Sequence, residues 1–398
     1  MIETQGRSAR SPAPGTTRLA LAVADINWFT TANLFRALDR EDVAALLLDC
    51  ADYVNAWHRG RRPWKRAARF EQLGPRTWQQ ELVLPPGWMK RYPKLGMRPI
   101  ARAVARWRRR EAADAPLALV MTYPHYLYLR DALRPDLSLY YNLDDYTLYW
   151  PGRADEVAAL ERRIVRESDV TVCVARQRRD ELAAAVPEAA DRILHIPHGA
   201  PDFMIAPTPE HRLAEAPDDL KRLPRPWLGY IGSLEDRLDW PLLAALAGSR
   251  PDAALVLIGR LPPDTGAGWE DERRRVLARP NVHHFGWRSQ AEIGRYYRAF
   301  DVCLIPYRTD HPFNIACCPT KILDSMGGGR SIVATDLPEC RLYTHLFPVA
   351  ASPAAFLQAV ADVLQHDPNS HARWEHARQH RCADVVQALL AALGAGRA

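Results

Sequence analysis

Two adjacent carboxyls, Asp144-Asp145, close the apolar run YYNL, and His125 follows the run LALVMTYP. Groups of these types at a strand end can take a proton from a hydroxyl within hydrogen-bond reach. Each also has a structural reading: Asp145 or Thr147 can cap a following turn, and His125 can be a hydrogen-bonded loop residue. Further along, Gly232, Gly259, Gly286 and Pro306 each end a short apolar run, in WLGYIGSL, ALVLIGR, VHHFGW and DVCLIPY. Glycine at such ends lets backbone approach a ligand closely. Arg237 follows Gly232-Ser233, and Lys321 opens the helical pattern of PTKILDSMGGG.

The elements that must hold these residues read as alternating strands and helices. The runs are short and rich in Val, Ile and Leu, as in strands buried on both faces of a parallel sheet. Helical patterns over 239–246 and 290–299 separate them, which is the mark of βαβ units. Earlier strands are expected over 18–24, 43–48, 117–122, 137–142, 170–174 and 193–196, with helices over 156–168 and 177–185. In open sheets of this kind ligands sit beyond the strand C-termini, where the glycines fall. The fold class expected is α/β with two Rossmann-like domains facing a central cleft. The first spans 1–205, a Pro-rich charged linker 206–225, the second 226–370 and a terminal helix 371–398.

A chain of 398 residues has ample material for two domains, and its 47% hydrophobic and 25% charged content are ordinary for globular proteins. No run has the apolar length to span a bilayer, and the opening stretch lacks a signal-peptide core. A disordered leader and a cytoplasmic location are expected. Seven scattered cysteines without metal-type spacing read as free thiols. Charge is uneven: residues 58–110 hold sixteen Lys and Arg against Glu71 and Glu81, a local +14 in a chain of net +6. Trp57, Trp64, Trp88, Met89, Tyr92 and Trp107 interleave with that charge. The combination suits an anionic membrane surface, the inner face of the plasma membrane in a cytoplasmic protein. A solvated basic face is the alternative, and no motif supports nucleic acid.

As an ordered series, YYNLDDY, the helix carrying Glu161 and Arg162 before ESDVTVCVA, ILHIPHGAPDF, PWLGYIGSLEDRLDW, PDAALVLIGR, NVHHFGW, FDVCLIPY and PTKILDSMGGGRSIVATDLPE resemble family-4-type glycosyltransferases of the GT-B fold. The series is nearest the branch acting on cell-surface polysaccharides, teichuronic-acid-type enzymes included. The resemblance covers residues 115–340 well and the first hundred poorly. It implies a hexosyltransferase that uses a nucleotide-sugar, a UDP-sugar in the first instance, with a lipid-linked or polysaccharide acceptor, no cofactor and no catalytic metal.

A departing nucleoside diphosphate gains negative charge that cations and backbone N–H groups must stabilise. Arg237 and Lys321 are the expected donors, since Ser233 stands where the family has an arginine. Pro319 and Thr320 begin the PxKxxE-like motif, in which Asp324 replaces the glutamate that holds the ribose. The family's upstream glutamate is Ala316 here. Gly286 and Trp287 fall where the base is read, and His198-Gly199 match a cleft turn that usually carries Asn. Of Gly327-Gly328-Gly329, the second and third read as permissive. His125 stands near a family histidine beside the donor sugar, and Asp144 or Asp145 is the expected acceptor base. Two rival readings remain: a UDP-sugar 2-epimerase, and a non-catalytic partner subunit favoured by the departures at 233, 316 and 324.

Overall fold

The computed structural model describes residues 17–58, 70–209 and 216–395. The expected leader, residues 59–69 of the basic segment and 210–215 of the linker lie outside these. The chain forms two compact units. The first takes the chain up to Asn27, Leu38–Met121 and His125–Leu139, and the second Trp28–Ala37, Thr122–Pro124 and Tyr140–Ala398.

The first unit carries β1 (Leu19–Ala24), β2 (Val43–Asp52), β3 (Glu71–Gly74), β4 (Thr77–Leu84), β5 (Leu117–Met121) and the start of β6 (Leu137–Asn142), in the order β3-β4-β2-β1-β5-β6. Strands β4, β2, β1 and β5 run parallel, with β3 antiparallel at the edge. Their central residues are buried on both faces, as the unbroken apolar runs require. Strand β4 escapes a periodicity reading because TWQQELVL buries Gln79 and Gln80. The helix Pro93–Glu111 was also missed. It buries Met97, Ile100, Ala103, Val104 and Trp107, and exposes Lys94, Arg98, Arg102, Arg106 and Arg109 at three- and four-residue spacing. Two of the tryptophans assigned to a lipid surface are therefore core residues, a correction to that reading. Trp88 is 3% exposed and Trp107 fully buried, and burying such a ring is worth about 1.5–3 kcal/mol.

The second unit holds the end of β6 with β7 (Val170–Cys173) and β8 (Ile193–His195), and a separate six-stranded sheet. That sheet comprises β9 (Trp227–Ile231), β10 (Ala254–Ile258), β11 (Val282–His284), β12 (Val302–Ile305), β13 (Ser331–Thr335) and β14 (Val349–Ala350). Its pairs are all parallel, in the order β11-β10-β9-β12-β13-β14. Winding runs outward one way from β9 and the other way from β12, so the C-terminal ends of these two strands flank the topological switch point. The helices between start on their own signals. Asp239 accepts from the Leu242 amide at 2.9 Å, and Ser289 with Glu292 forms a capping box.

The tail is two helices, Ser370–Gln379 and Cys382–Ala395, where one continuous helix was expected. The break lets Ala200 donate to the His380 carbonyl and Cys382 donate to the Ala200 carbonyl, at 2.8 and 3.0 Å. Gly199 is required there, since a Cβ would lie 2.6 Å from Cys382 Cα. The two glycines read as permissive are also constrained. A Cβ on Gly328 would lie 3.1 Å from Arg298 Cα, while Gly329 has φ 64° and would meet the Ser370 carbonyl at 2.9 Å. Gly329→Ala should therefore cost about 1–2 kcal/mol, read as a lower urea midpoint at unchanged m-value.

Candidate active site

The switch point is built from closely packed backbone. Gly232 follows β9 and donates to the Ile258 carbonyl at 2.8 Å, and Gly259, after β10, donates to Gly286 at 2.9 Å. Gly259 and Gly286 have φ of 150° and 67°, and a Cβ on Gly259 would lie 1.8 Å from the Gly232 oxygen. At Gly259 there is no room for a side chain, while Gly286 has open space and is favoured by its left-handed backbone. A Cβ on Gly232 would lie 2.4 Å from the Tyr230 hydroxyl and 2.9 Å from Lys321 Nζ, so the missing side chain leaves room for both.

Lys321 opens the helix Lys321–Met326, and its Nζ lies 5.3 Å from the Tyr230 ring centroid and 5.4 Å from that of Tyr307. Arg237 faces the same Tyr307 ring at 5.5 Å and Phe313 at 5.7 Å. Two cations thus share one aromatic ring. Among the described residues neither forms an ion pair. The surface pairing of Arg237 with Asp236 or Asp239 does not occur, because Asp239 caps a helix and Asp236 lies 3.4 Å from His311 Nε2. Arg237 Nε instead donates to Asn314 Oδ1 at 2.9 Å, and the buried Asn314 amide donates to the carbonyls of Arg237 and Arg308.

A cavity of about 290 Å³ opens beside this cluster. Of the predicted donor residues, Gly232, Thr320, Lys321 and Asp324 line it, and so do His198 and Gly199. Ser233, Arg237, Gly259, Gly286, Trp287 and Pro319 do not. Ser233 donates its hydroxyl to Glu235 at 3.1 Å, Pro319 is buried, and Trp287 is 54% exposed. Burial pushes the Asp324 carboxyl up to about 7 against the pull of Lys321 and the Thr320 side chain. Burial alone lowers His198 to about 4, which keeps it neutral at physiological pH. Ala316, where the family has a glutamate, is buried and brings no carboxylate. Trp28, Phe29, Thr30 and Asn33 line it as well. The sequence reading missed these, although a polar-aromatic turn from β1 into the helix Phe29–Arg36 marks a strand C-terminus.

The paired acids have divided roles. Asp145 Oδ1 accepts from the Thr147 amide at 3.0 Å and its hydroxyl at 2.6 Å, the capping geometry. Asp144 Oδ2 accepts from the Tyr149 hydroxyl at 2.7 Å. Burial raises the Asp144 carboxyl, opposed by the Tyr149 and Asp145 hydrogen bonds and by the charge of Arg237. The loop is anchored beneath by the buried Glu161, which accepts from Tyr140, Asn142 and Arg178 at 2.7–2.8 Å. His125 belongs to the first unit. It sits in the turn Pro124–Tyr126 at 4% exposure, next to Tyr126, whose hydroxyl donates to Asp25 at 3.0 Å.

The solved structures most like this chain include sucrose-phosphate synthase from Thermosynechococcus elongatus (16% identity, 96% of this chain and 98% of that one, TM-score 0.65). A UDP-forming α,α-trehalose-phosphate synthase from Burkholderia xenovorans (12%, 96% and 100%, 0.68) and Anabaena Alr3699/HepE in complex with UDP (13%, 95% and 99%, 0.65) are similar to the same extent. The fold is therefore GT-B, with two Rossmann-like domains. Residues 225–366 match the family described as glycosyl transferases group 1. A curated relative, the TuaH protein of Bacillus subtilis, named for glycosyl transfer in teichuronic acid biosynthesis, is 22% identical over 219 residues. That match covers 53% of this chain and 52% of the relative, so the two align over about half their lengths. Residues 225–366 are thus similar to the group 1 glycosyltransferases, within a chain of GT-B fold.

Asp324 supplies a test of the cavity's electrostatics. Its folded pKa lies above the unfolded value, so the native state prefers the neutral carboxyl. Stability from this group is full below pH 3.8 and is lost as pH rises through about 7. The melting temperature of Asp324→Asn relative to wild type should therefore climb between pH 4 and pH 7 and level off above pH 8. A pH-independent difference would contradict the buried, raised carboxyl.

Proposed function

We propose that the chain transfers a hexosyl group from a nucleoside-diphosphate sugar, UDP-linked in the first instance, to a hydroxyl of a lipid-linked or cell-surface polysaccharide acceptor. The observation that carries this reading is the pair of cations on Tyr307 that form no ion pair among the described residues, one of them pressed against Gly232 at the switch point. An uncompensated cation in a part-buried crevice is costly unless an anion completes it. A diphosphate of two linked anions supplies that completion at Lys321, and Asp324 on the same cavity wall is placed for the ribose hydroxyls. As the bond from the sugar's anomeric carbon to the phosphate oxygen breaks, its electron pair passes to the diphosphate, and Lys321 stabilises the charge that develops. The acceptor oxygen forms the new bond to the anomeric carbon, and its proton passes to Asp144. A carboxyl raised by burial is a stronger base than an exposed one.

Lys321→Ala should weaken UDP binding in calorimetry at least tenfold, since a charge-assisted bond to phosphate is worth roughly 1.5–3 kcal/mol. Unchanged affinity would remove Lys321 from the donor site, and no UDP binding by the wild type would favour the non-catalytic reading. Asp144→Asn should retain UDP affinity and lose most transfer, while Asp145→Asn should chiefly lower the melting temperature through loss of its cap. Equal activity of both variants and wild type would place the base elsewhere.

The same reading puts the enzyme at an anionic membrane face. Lys94, Arg98, Arg102, Arg106 and Arg109 form an exposed row on the helix Pro93–Glu111, and Trp57, Tyr92 and Leu95 are 55–57% exposed in the same unit. Each basic residue near such a surface contributes about 1 kcal/mol, screened within a Debye length. No described helix is long and apolar enough to cross a membrane. Co-sedimentation with phosphatidylserine vesicles should fall steeply with salt and be abolished when Arg98, Arg102, Arg106 and Arg109 all become Ser. Equal recovery on neutral vesicles would leave only a solvated basic face.

A further inference from the structure

A run of aromatic rings extends from the donor cavity to Asp144. Trp28, on the cavity wall, donates its indole N–H to the Tyr123 hydroxyl at 2.6 Å. Tyr123 lies 4.7 Å from the buried Tyr146 ring, Tyr146 lies 6.0 Å from Tyr149, and Tyr149 meets Phe313 edge-on at 5.0 Å and 86°. Tyr146 is the support, with its hydroxyl donating to the Thr122 carbonyl. The rest of the run faces outward: Trp28 is 44% and Tyr149 37% exposed, with Tyr123 and Phe313 half-buried. Contiguous exposed rings are unfavourable to leave in water and mark a contact surface.

We infer that Tyr123 and Tyr149, continued by Trp28, form a stacking platform for the pyranose rings of a saccharide acceptor, while Phe313, whose ring is engaged by Arg237 and His311, supports Tyr149 edge-on. The inference rests on the reading of Asp144 as the acceptor base. A pyranose in the gluco configuration presents a face of axial C–H groups, slightly positive, which suits the negative face of an aromatic ring. Its equatorial hydroxyls project from the ring edge, where tyrosine hydroxyls and the Asp144 carboxylate can pair with them. Tyr149 joins both functions, because its ring borders Phe313 while its hydroxyl is fixed on Asp144. A stacked sugar is thereby held with an edge hydroxyl next to the base. A phosphate at this position would need cations along the run. The nearest, Arg237, is turned to the faces of Tyr307 and Phe313 and fixed by Asn314.

Saturation-transfer NMR on the full chain with UDP present, using cellobiose and N,N′-diacetylchitobiose as probes, tests this. In the wild type the axial ring protons of at least one disaccharide should receive the strongest saturation. Tyr149→Phe, which keeps the ring, should retain that signal. Tyr149→Ala should reduce it at least fivefold, with UDP signals unchanged as the control for folding and donor binding. No disaccharide signal in a wild type that binds UDP, or equal signals in wild type and Tyr149→Ala, would overturn the platform and leave the donor site standing. Failure of the wild type to bind UDP would remove the donor reading and the platform with it.

Discussion

Everything at this site depends on holding two cations on one aromatic ring with no ion-pair partner among the described residues. Lys321 and Arg237 are held by aromatic faces and by one buried amide, not by acids, and the Tyr307 ring touches both. The switch point of the sheet makes this possible: β9 and β12 part there, Gly232 leaves room for Tyr230 and Lys321, and Tyr307 follows β12 after Pro306. Among the described residues no nearby carboxylate forms an ion pair with either cation, although the Asp144 charge acts on Arg237. Asp239 is occupied as a helix cap, Asp236 lies beside His311, and burial raises the Asp324 carboxyl toward neutrality.

The second constraint is the support under Asp144. A carboxyl can serve as a base only if it is held in place and kept from full solvation. Here Tyr149 fixes one oxygen, while Asp145 caps the turn and Glu161 ties the preceding strand through Tyr140, Asn142 and Arg178. The two adjacent acids do different jobs because only one has the Thr147 amide within reach. Burial and the Arg237 charge then act in opposite directions on Asp144, so its basicity depends on Arg237 staying on its asparagine.

Much of this was legible in the sequence, and the parts that were not have physical causes. Strands such as LALVM and ALVLI are buried on both faces, so an unbroken apolar run announces them, and glycine at their ends marks close backbone approach. Strand β4 was hidden because its buried positions include the polar residues Gln79 and Gln80, which break the apolar run that marks the other strands. The helix Pro93–Glu111 was hidden by its own charge: with so many arginines, the narrow apolar stripe that seats Trp107 reads as part of a basic segment. The roles of Asp144 and Asp145 could not be separated because the distinction is a hydrogen bond within the turn. The wall formed by Trp28 and Phe29 was invisible because it comes from 290 residues away in the chain, joined to Lys321 only by folding.

The most direct test of the account is a structure of the protein with UDP bound. The account predicts the diphosphate in the cavity beside Gly232, with Lys321 Nζ at a charge-assisted distance of about 2.7–2.9 Å from a phosphate oxygen and drawn off the Tyr307 ring. UDP bound away from this cavity, or in it with Lys321 still resting on Tyr230 and Tyr307, would contradict the claim that the unpaired cations exist to receive the leaving group.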